Sequence, residues 1–223
     1  MINVKEVFEE RKNEIEFYYS VLDSYEKENA TTHSVDMRLF RIMKSNLVLM
    51  LYNLVEATFS AGMLEIYEIV KNEKCTYKMV IDEIKTVWRD AKIRQVYSSS
   101  AKVETYTNKV KEIVEHITDE SPLILGREML NINGNLNAGR IKNLCKQHGI
   151  FCRAKDKDEK LEEVLRKRNS LAHGEESFAE CSRDMTIDDL KIIKDTVILF
   201  MSNVIVGMEN YCDNKKYLKA VSV

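Results

Sequence analysis

Apolar residues recur along this chain at helical rather than strand spacing. Between Val4 and Glu28, the residues Val7, Phe8, Ile15, Tyr18, Tyr19, Leu22 and Tyr25 fall near one face of a helix, which predicts an amphipathic first element. Asp36 to Lys71 predicts a second and longer one. Within it Leu49, Tyr52, Glu56, Phe59 and Met63 form a 3-4-3-4 stripe, and Leu47, Leu51, Leu54 and Thr58 form another on the opposite side. A helix apolar on both sides is a buried one. Tyr77 to Arg94 and Val103 to Ile117 predict a third and a fourth helix. Pro122 to Asn137 predicts loop, with a short hairpin at Leu123 to Ile132. Gly139 to Gln147 predicts a short helix ended by Gly149, Asp158 to His173 another, and Thr186 to Tyr211 the last.

Local end signals agree with the later boundaries. Asp156 with Glu159, and Thr186 with Asp189, have capping-box spacing ahead of apolar runs. Gly174 stands where a glycine closes a helix. The glycines are uneven: none precedes Gly62, whereas Gly126, Gly134, Gly139, Gly149 and Gly174 crowd the third quarter beside the single proline, Pro122. Long uninterrupted helices followed by irregular connections that place a site are expected from this. The expected fold is all-α, a bundle of long antiparallel helices with short extra helices and an irregular middle segment. No linker divides the chain, so residues 1–223 are expected to form one domain.

Composition narrows the picture further. Of 223 residues, 44% are hydrophobic and 31% charged, values of a globular chain rather than a disordered one. With seven glycines and one proline an all-β sandwich lacks its turns. The 34 basic and 36 acidic residues leave a net charge of −2, so an anionic partner has to be held by a local cluster. Five cysteines spread along the length suit reduced intracellular thiols. No leader-like segment is seen, and a cytoplasmic location is expected. The apolar run Asn46 to Leu64 is long enough to span a bilayer, but it carries Glu56, Asn46 and Asn53, which favours a core or interface helix over a membrane partner.

One helix breaks the amphipathic rule. In Asp158 to His173, the residues Leu161, Val164, Leu165 and Ala172 cluster on one stripe, and Arg168 falls within it, about 20° from Leu161. A guanidinium does not lose its proton, so it needs a carboxylate, a phosphate or a wet cleft. Asn169 and His173, four residues apart, share the polar edge of that stripe. Glu56 on the long second helix is an interior carboxylate in want of a partner, and it is expected to pair with Arg168, directly or through water. The plainer reading is a snorkelling Arg and a C-terminal His that complements the helix dipole.

Arg, Asn and His together suit one reaction in particular. A histidine with an ordinary pKa of about 6.5 exchanges protons near neutrality, and an arginine can clamp a phosphate and stabilise its developing charge. RNA brings its own nucleophile, the 2′-OH, so neither a metal-bound water nor a cofactor is required. Attack on the adjacent phosphate leaves a 2′,3′-cyclic phosphate and a 5′-OH, and DNA is spared.

The run Arg168-Asn169-Ser170-Leu171-Ala172-His173-Gly174 resembles the R-x4-6-H signature of the HEPN superfamily. Leu51-Tyr52-Asn53-Leu54-Val55-Glu56, Gly134-Asn135-Leu136-Asn137, and Ser177-Phe178 followed by Thr186-Ile187-Asp188-Asp189-Leu190 resemble its stand-alone MAE-type bacterial branch. An Ile-Asp is expected in the Gly134 stretch where this chain has Leu136-Asn137. The resemblance implies an all-α homodimer whose Arg/His helices face each other in one composite, metal-independent ribonuclease site. Arg168 and His173 correspond to the catalytic pair, Asn169 to its polar neighbour and Glu56 to a supporting acidic position. It also implies an RNA substrate and a toxin or phage-defence role, with an antitoxin or another defence protein as partner. The alternative it implies is an inactive module for dimerisation and for binding RNA or protein.

Charge is distributed in keeping with a local site. Ala138 to Ser170 carries ten basic and five acidic residues, a local +5 against −7 elsewhere. Arg140, Lys142, Lys146, Arg153, Lys155 and Lys167 are expected to follow an RNA backbone. Glu175 to Leu190 is acidic and can restrict access or favour the start of the last helix. Cys145, His148 and Cys152 form a C-x2-H-x3-C pattern, with Cys181 as a conceivable fourth ligand. Structural zinc sites favour paired C-x2-C elements, so reduced thiols and a surface histidine are expected, with no metal. Walker, dinucleotide and zincin motifs do not occur.

Overall fold

The long second helix organises everything else. In a computed structural model that describes residues 1–32, 36–97, 103–130, 132, 134–154 and 158–220, the elements are α1 (Asn3–Thr32), α2 (Met37–Asn72), α3 (Asp82–Tyr97), α4 (Val103–Thr118), a 3-10 turn (Arg127–Met129), α5 (Ala138–Gln147), α6 (Glu159–His173), α7 (Phe178–Cys181) and α8 (Ile187–Asp213). The architecture is the all-α one. The 36 residues of α2 rise about 54 Å, and α1, α6, α7 and α8 all pack against it.

Both apolar stripes of α2 are buried: Leu47, Leu51 and Leu54 on one side, Tyr52, Phe59 and Met63 on the other. Most of its apolar stretch is covered by protein. That helix is long and apolar enough to cross a membrane, yet its surface is already occupied by its neighbours. Glu65 of α2 accepts the backbone N–H groups of Ile2 and Val4 at 2.7 and 3.0 Å. A side chain distant in sequence thus satisfies donors that open the first turn of α1, and it fixes α1 antiparallel to α2. Helix α8 runs parallel to α2 instead, since Lys44 donates to the Met185 carbonyl ahead of α8 while Gly62 lies against Met208 near its end. The expectation that neighbouring long helices are antiparallel holds for α1 against α2 and α8, and not for α2 against α8.

Three local expectations change. Helix α3 begins at Asp82 rather than Tyr77. The chain before it is held by the C-terminal segment, with Ile81 N–H donating to Tyr217 O (2.9 Å) and Lys219 N–H to Met79 O (2.8 Å). Among the described residues no hairpin forms over Leu123 to Ile132. Leu123 and Leu125 are buried with strand-like alternation, but their segment pairs with Cys75 and Thr76, through Leu123 N–H to Cys75 O at 2.8 Å. A period of two marks which face is buried and is silent about which backbone lies alongside. The third change is α7, an unforeseen helical turn opened by a capping box between Ser177 and Glu180.

Candidate active site

Helix α6 is oriented by its apolar half. Asp158 caps it by accepting Lys160 N–H at 3.0 Å; Asp156, the cap expected from spacing, lies outside the described residues. Leu161 and Val164 are buried, so Arg168, two turns beyond Leu161, is turned inward as well. At the far end Gly174 takes φ +70°, and Glu175 N–H closes the last turn on Ser170 O at 2.9 Å, the expected glycine stop.

Arg168 is half-buried and held on several sides. Its guanidinium carbon stands 4.6 Å from the centre of the Tyr52 ring, a cation–π contact. Its Nη1 donates to Asn169 Oδ1 at 2.9 Å. Over it lies the backbone of Gly134, with φ +68°. A Cβ at that position would stand 3.0 Å from Arg168 Nη2, so the backbone favours glycine there and a larger residue would make the guanidinium shift.

The loop after Gly134 is tied across α2 and α6 residue by residue. Asn169 Nδ2 donates to Asn135 Oδ1 (3.3 Å), and Leu136 N–H donates to the Tyr52 hydroxyl (3.3 Å). Asn137 accepts Arg140 N–H at 2.7 Å as the cap of α5 and donates to Glu162 at 3.2 Å. An asparagine here keeps the capping acceptor that an aspartate would offer and adds a donor for Glu162.

Glu56 meets Arg168 indirectly. It is half-buried and stands one turn beyond Tyr52 on α2. Burial pushes the Tyr52 phenol above its ordinary pKa, Leu136 N–H and Arg168 oppose this, and Glu56 adds to it. The phenol can accept from Leu136 and donate to Glu56 at once. Among the described residues no ion pair joins Glu56 to Arg168. Tyr52 instead holds the cation on its ring, and the charge of Glu56 bears on its phenol.

His173 occupies the last position of α6 and is exposed. It lies five residues beyond Arg168, about 7.5 Å along the axis and about 140° around it. No hydrogen bond fixes its ring among the described residues. Arg168 and Asn169 are therefore brought together, with Tyr52, Gly134 and Asn135, while His173 stands apart at the open end of the helix. Spacing did not single out Tyr52 or Asn135 for a role. The hints were that Tyr52 shares a stripe with Glu56 one turn away and that Tyr52 and Asn135 both fall in stretches resembling the MAE-type branch.

The basic residues differ in exposure. Lys167 is buried and its ammonium donates to the Cys181 carbonyl, so the structure removes it from any RNA-facing set. Lys44 reaches the same region, donating to Arg183 O (3.2 Å) and Met185 O (2.5 Å). Two buried ammonium groups thereby satisfy carbonyls at the end of α7 and just beyond. Arg140 is half-buried beside Asp82, Glu83 and Asp90 in a cavity of about 490 Å³. Lys142 and Lys146 flank a second one below the end of α5, and Arg153 is exposed near Asn203 and Asn210 of α8. Lys155 lies outside the described residues.

His148 corrects another expectation. It is 1% exposed rather than on the surface, with Nε2 2.6 Å from the Tyr67 hydroxyl and Nδ1 2.8 Å from Leu144 O. Burial lowers its pKa to about 4. Both ring nitrogens are engaged, which leaves neither free for a metal.

Comparison with known proteins agrees with the motif reading. No curated protein and no solved structure matches the chain. A family model does, the one described as HEPN_MAE_28990-like HEPN, over residues 3–217. That span takes in α2, the Gly134 loop and all of α6, and the chain belongs to the HEPN_MAE_28990-like HEPN family.

Proposed function

We propose that this cytoplasmic HEPN protein is a metal-independent endoribonuclease that works as a homodimer and serves as a toxin or defence effector. HEPN domains commonly bind RNA and dimerise. The observation that carries the reading is the half-exposed Arg168, stacked on Tyr52 and bonded to Asn169, on the same short helix as an exposed His173. An oriented guanidinium that still reaches solvent is what a phosphate clamp requires.

The chemistry explains why two chains are needed. In-line attack puts the entering 2′-oxygen and the leaving 5′-oxygen on opposite sides of phosphorus. One group must take the 2′ proton while another delivers a proton to the 5′-oxygen. Each chain offers a single exposed histidine at the site. Two copies of α6 facing each other supply His173 twice, once as base and once as acid. Arg168 then neutralises charge on the non-bridging oxygens as the P–O2′ bond forms and the P–O5′ bond breaks. Asn169 orients Arg168.

Incubating the full-length protein with RNA and with DNA of the same sequence in excess EDTA tests this. The expected result is RNA fragments ending in 2′,3′-cyclic phosphate, untouched DNA, and loss of cleavage in Arg168→Ala and in His173→Ala. A second reading is favoured by the ring of His173, to which no hydrogen bond is made among the described residues. It is an inactive HEPN module that dimerises and retains RNA or a protein partner. Retardation of RNA without cleavage, unchanged in His173→Ala, would select that reading over the enzyme.

A further inference from the structure

Cys145 and Cys152 are free thiols, as expected, and the chain folds them against each other. Cys145 lies in the last turn of α5. Its carbonyl accepts both His148 N–H (3.0 Å) and Ile150 N–H (2.8 Å), and Gly149 adopts φ +73°. That reversal carries the chain back along the end of the helix, and the two sulfurs come to rest 3.3 Å apart. Helix α8 closes the other side. A Cβ at Gly207 would meet Phe151 O at 2.7 Å and Cys152 Sγ at 3.1 Å, so only a glycine lets α8 approach this closely. The contact is therefore set by backbone on both sides.

We propose that Cys145 and Cys152 are a dithiol site that closes to an intramolecular disulfide on reaction with a small-molecule disulfide. Shortening the sulfur separation by about 1.3 Å reaches bonding distance. A cavity of about 450 Å³, lined by both cysteines with Lys142, Lys146, Gly149 and Phe151, gives the reagent access. The two thiols are not equivalent. Cys152 is the more accessible, 7% exposed against 1% for Cys145, and the neighbouring Cys152 sulfur together with burial pushes the Cys145 thiol up. The charge of Lys142 favours either thiolate, and cationic surroundings make a thiol reactive.

Cys152 is the attacking sulfur. Its thiolate displaces one half of the reagent RSSR, forming Cys152–S–S–R and releasing RS⁻. That RS⁻ takes the proton of Cys145, whose thiolate then attacks the Cys152 sulfur and expels the second RS⁻. The remaining proton comes from the ionisation of Cys152, so two protein thiols and one RSSR become one protein disulfide and two RSH. The site stands whether or not the protein cuts RNA.

Titrating the full-length protein with oxidised glutathione, then denaturing, alkylating and mapping by mass spectrometry, tests the proposal. The expected result is a fall from five alkylated cysteines to three, with Cys145 linked to Cys152 and with Cys75, Cys181 and Cys212 still alkylated. Cys145→Ser should accumulate a glutathione adduct on Cys152, and Cys152→Ser should leave Cys145 unmodified. Five alkylated cysteines at every glutathione ratio, or a bond between any other pair, would overturn the site. An adduct on Cys145 in Cys152→Ser would overturn the order of attack. The wild-type mapping decides whether the bond forms regardless of how the variants fold.

Discussion

Replacing Tyr52 with leucine removes the surface on which Arg168 rests while keeping an apolar side chain in the core. Tyr52 is 2% exposed and its ring lies 4.6 Å from the Arg168 guanidinium carbon. Cation–π contacts range from about 0.5–1 kcal/mol when exposed to about 2 kcal/mol when desolvated. Half-buried Arg168 falls between, at about 1 kcal/mol. The single substitution has further effects, because Leu136 N–H loses its acceptor, at a cost of about 1–3 kcal/mol for a buried donor. The pairwise part is isolated by a cycle of Tyr52→Leu, Arg168→Leu and the double variant, each followed by urea denaturation. The expected coupling is about 1 kcal/mol, favourable in the wild type. Tyr52→Phe is the control: it keeps the ring and should keep the coupling, while lowering stability by about 1–2 kcal/mol through the lost hydroxyl. Coupling within about 0.3 kcal/mol of zero in the leucine cycle would refute the claim that Tyr52 positions the arginine. In the cleavage assay, Tyr52→Leu should then lose about fivefold or more in rate per folded molecule, since 1 kcal/mol corresponds to roughly that factor.

Further expectations address the loop, the buried histidine and the buried lysine. Gly134→Ala forces φ +68° on an L-residue and crowds Arg168 Nη2; stability should fall by about 1–2 kcal/mol, and cleavage should fall with it, read by denaturation and RNA assay. For His148 the folded pKa of about 4 lies below the unfolded value of about 6.5. Protons therefore bind the unfolded chain first, and stability is lost as pH falls from about 6.5 toward 4, by up to about 3 kcal/mol. Urea denaturation at pH 7 and pH 4.5 should show a smaller loss in His148→Gln than in wild type; equal losses would remove His148 as the cause. Lys167→Met leaves the Cys181 carbonyl without its donor and should cost about 1–3 kcal/mol. The salt dependence of RNA binding should not change, because a buried ammonium neutralises no phosphate; a shallower salt slope would return Lys167 to the RNA surface.

Much of this molecule is written locally. The stops at Gly149 and Gly174, the Thr186 cap, the burial of α2 on both sides and the extent of the helix ending at His173 follow from residues within a few positions of one another. Helical spacing, capping and glycine conformation are interactions over at most about four residues. The same local logic marked Arg168 as anomalous, a fixed charge in an apolar stripe. It also grouped it with Asn169 and His173.

What answered the anomaly came from distant parts of the chain. Tyr52 reaches Arg168 across 116 positions, and the Gly134 loop reaches both α2 and α6. Tertiary packing likewise set Arg168 on the Tyr52 ring, turned Lys167 inward onto Cys181, and sealed His148 against Tyr67. Sequence by itself determined which segments are helices and which groups require partners, because a helix records its own period and a buried charge its own cost. Only the folded chain decided who those partners are, because contact between distant residues depends on how whole helices pack.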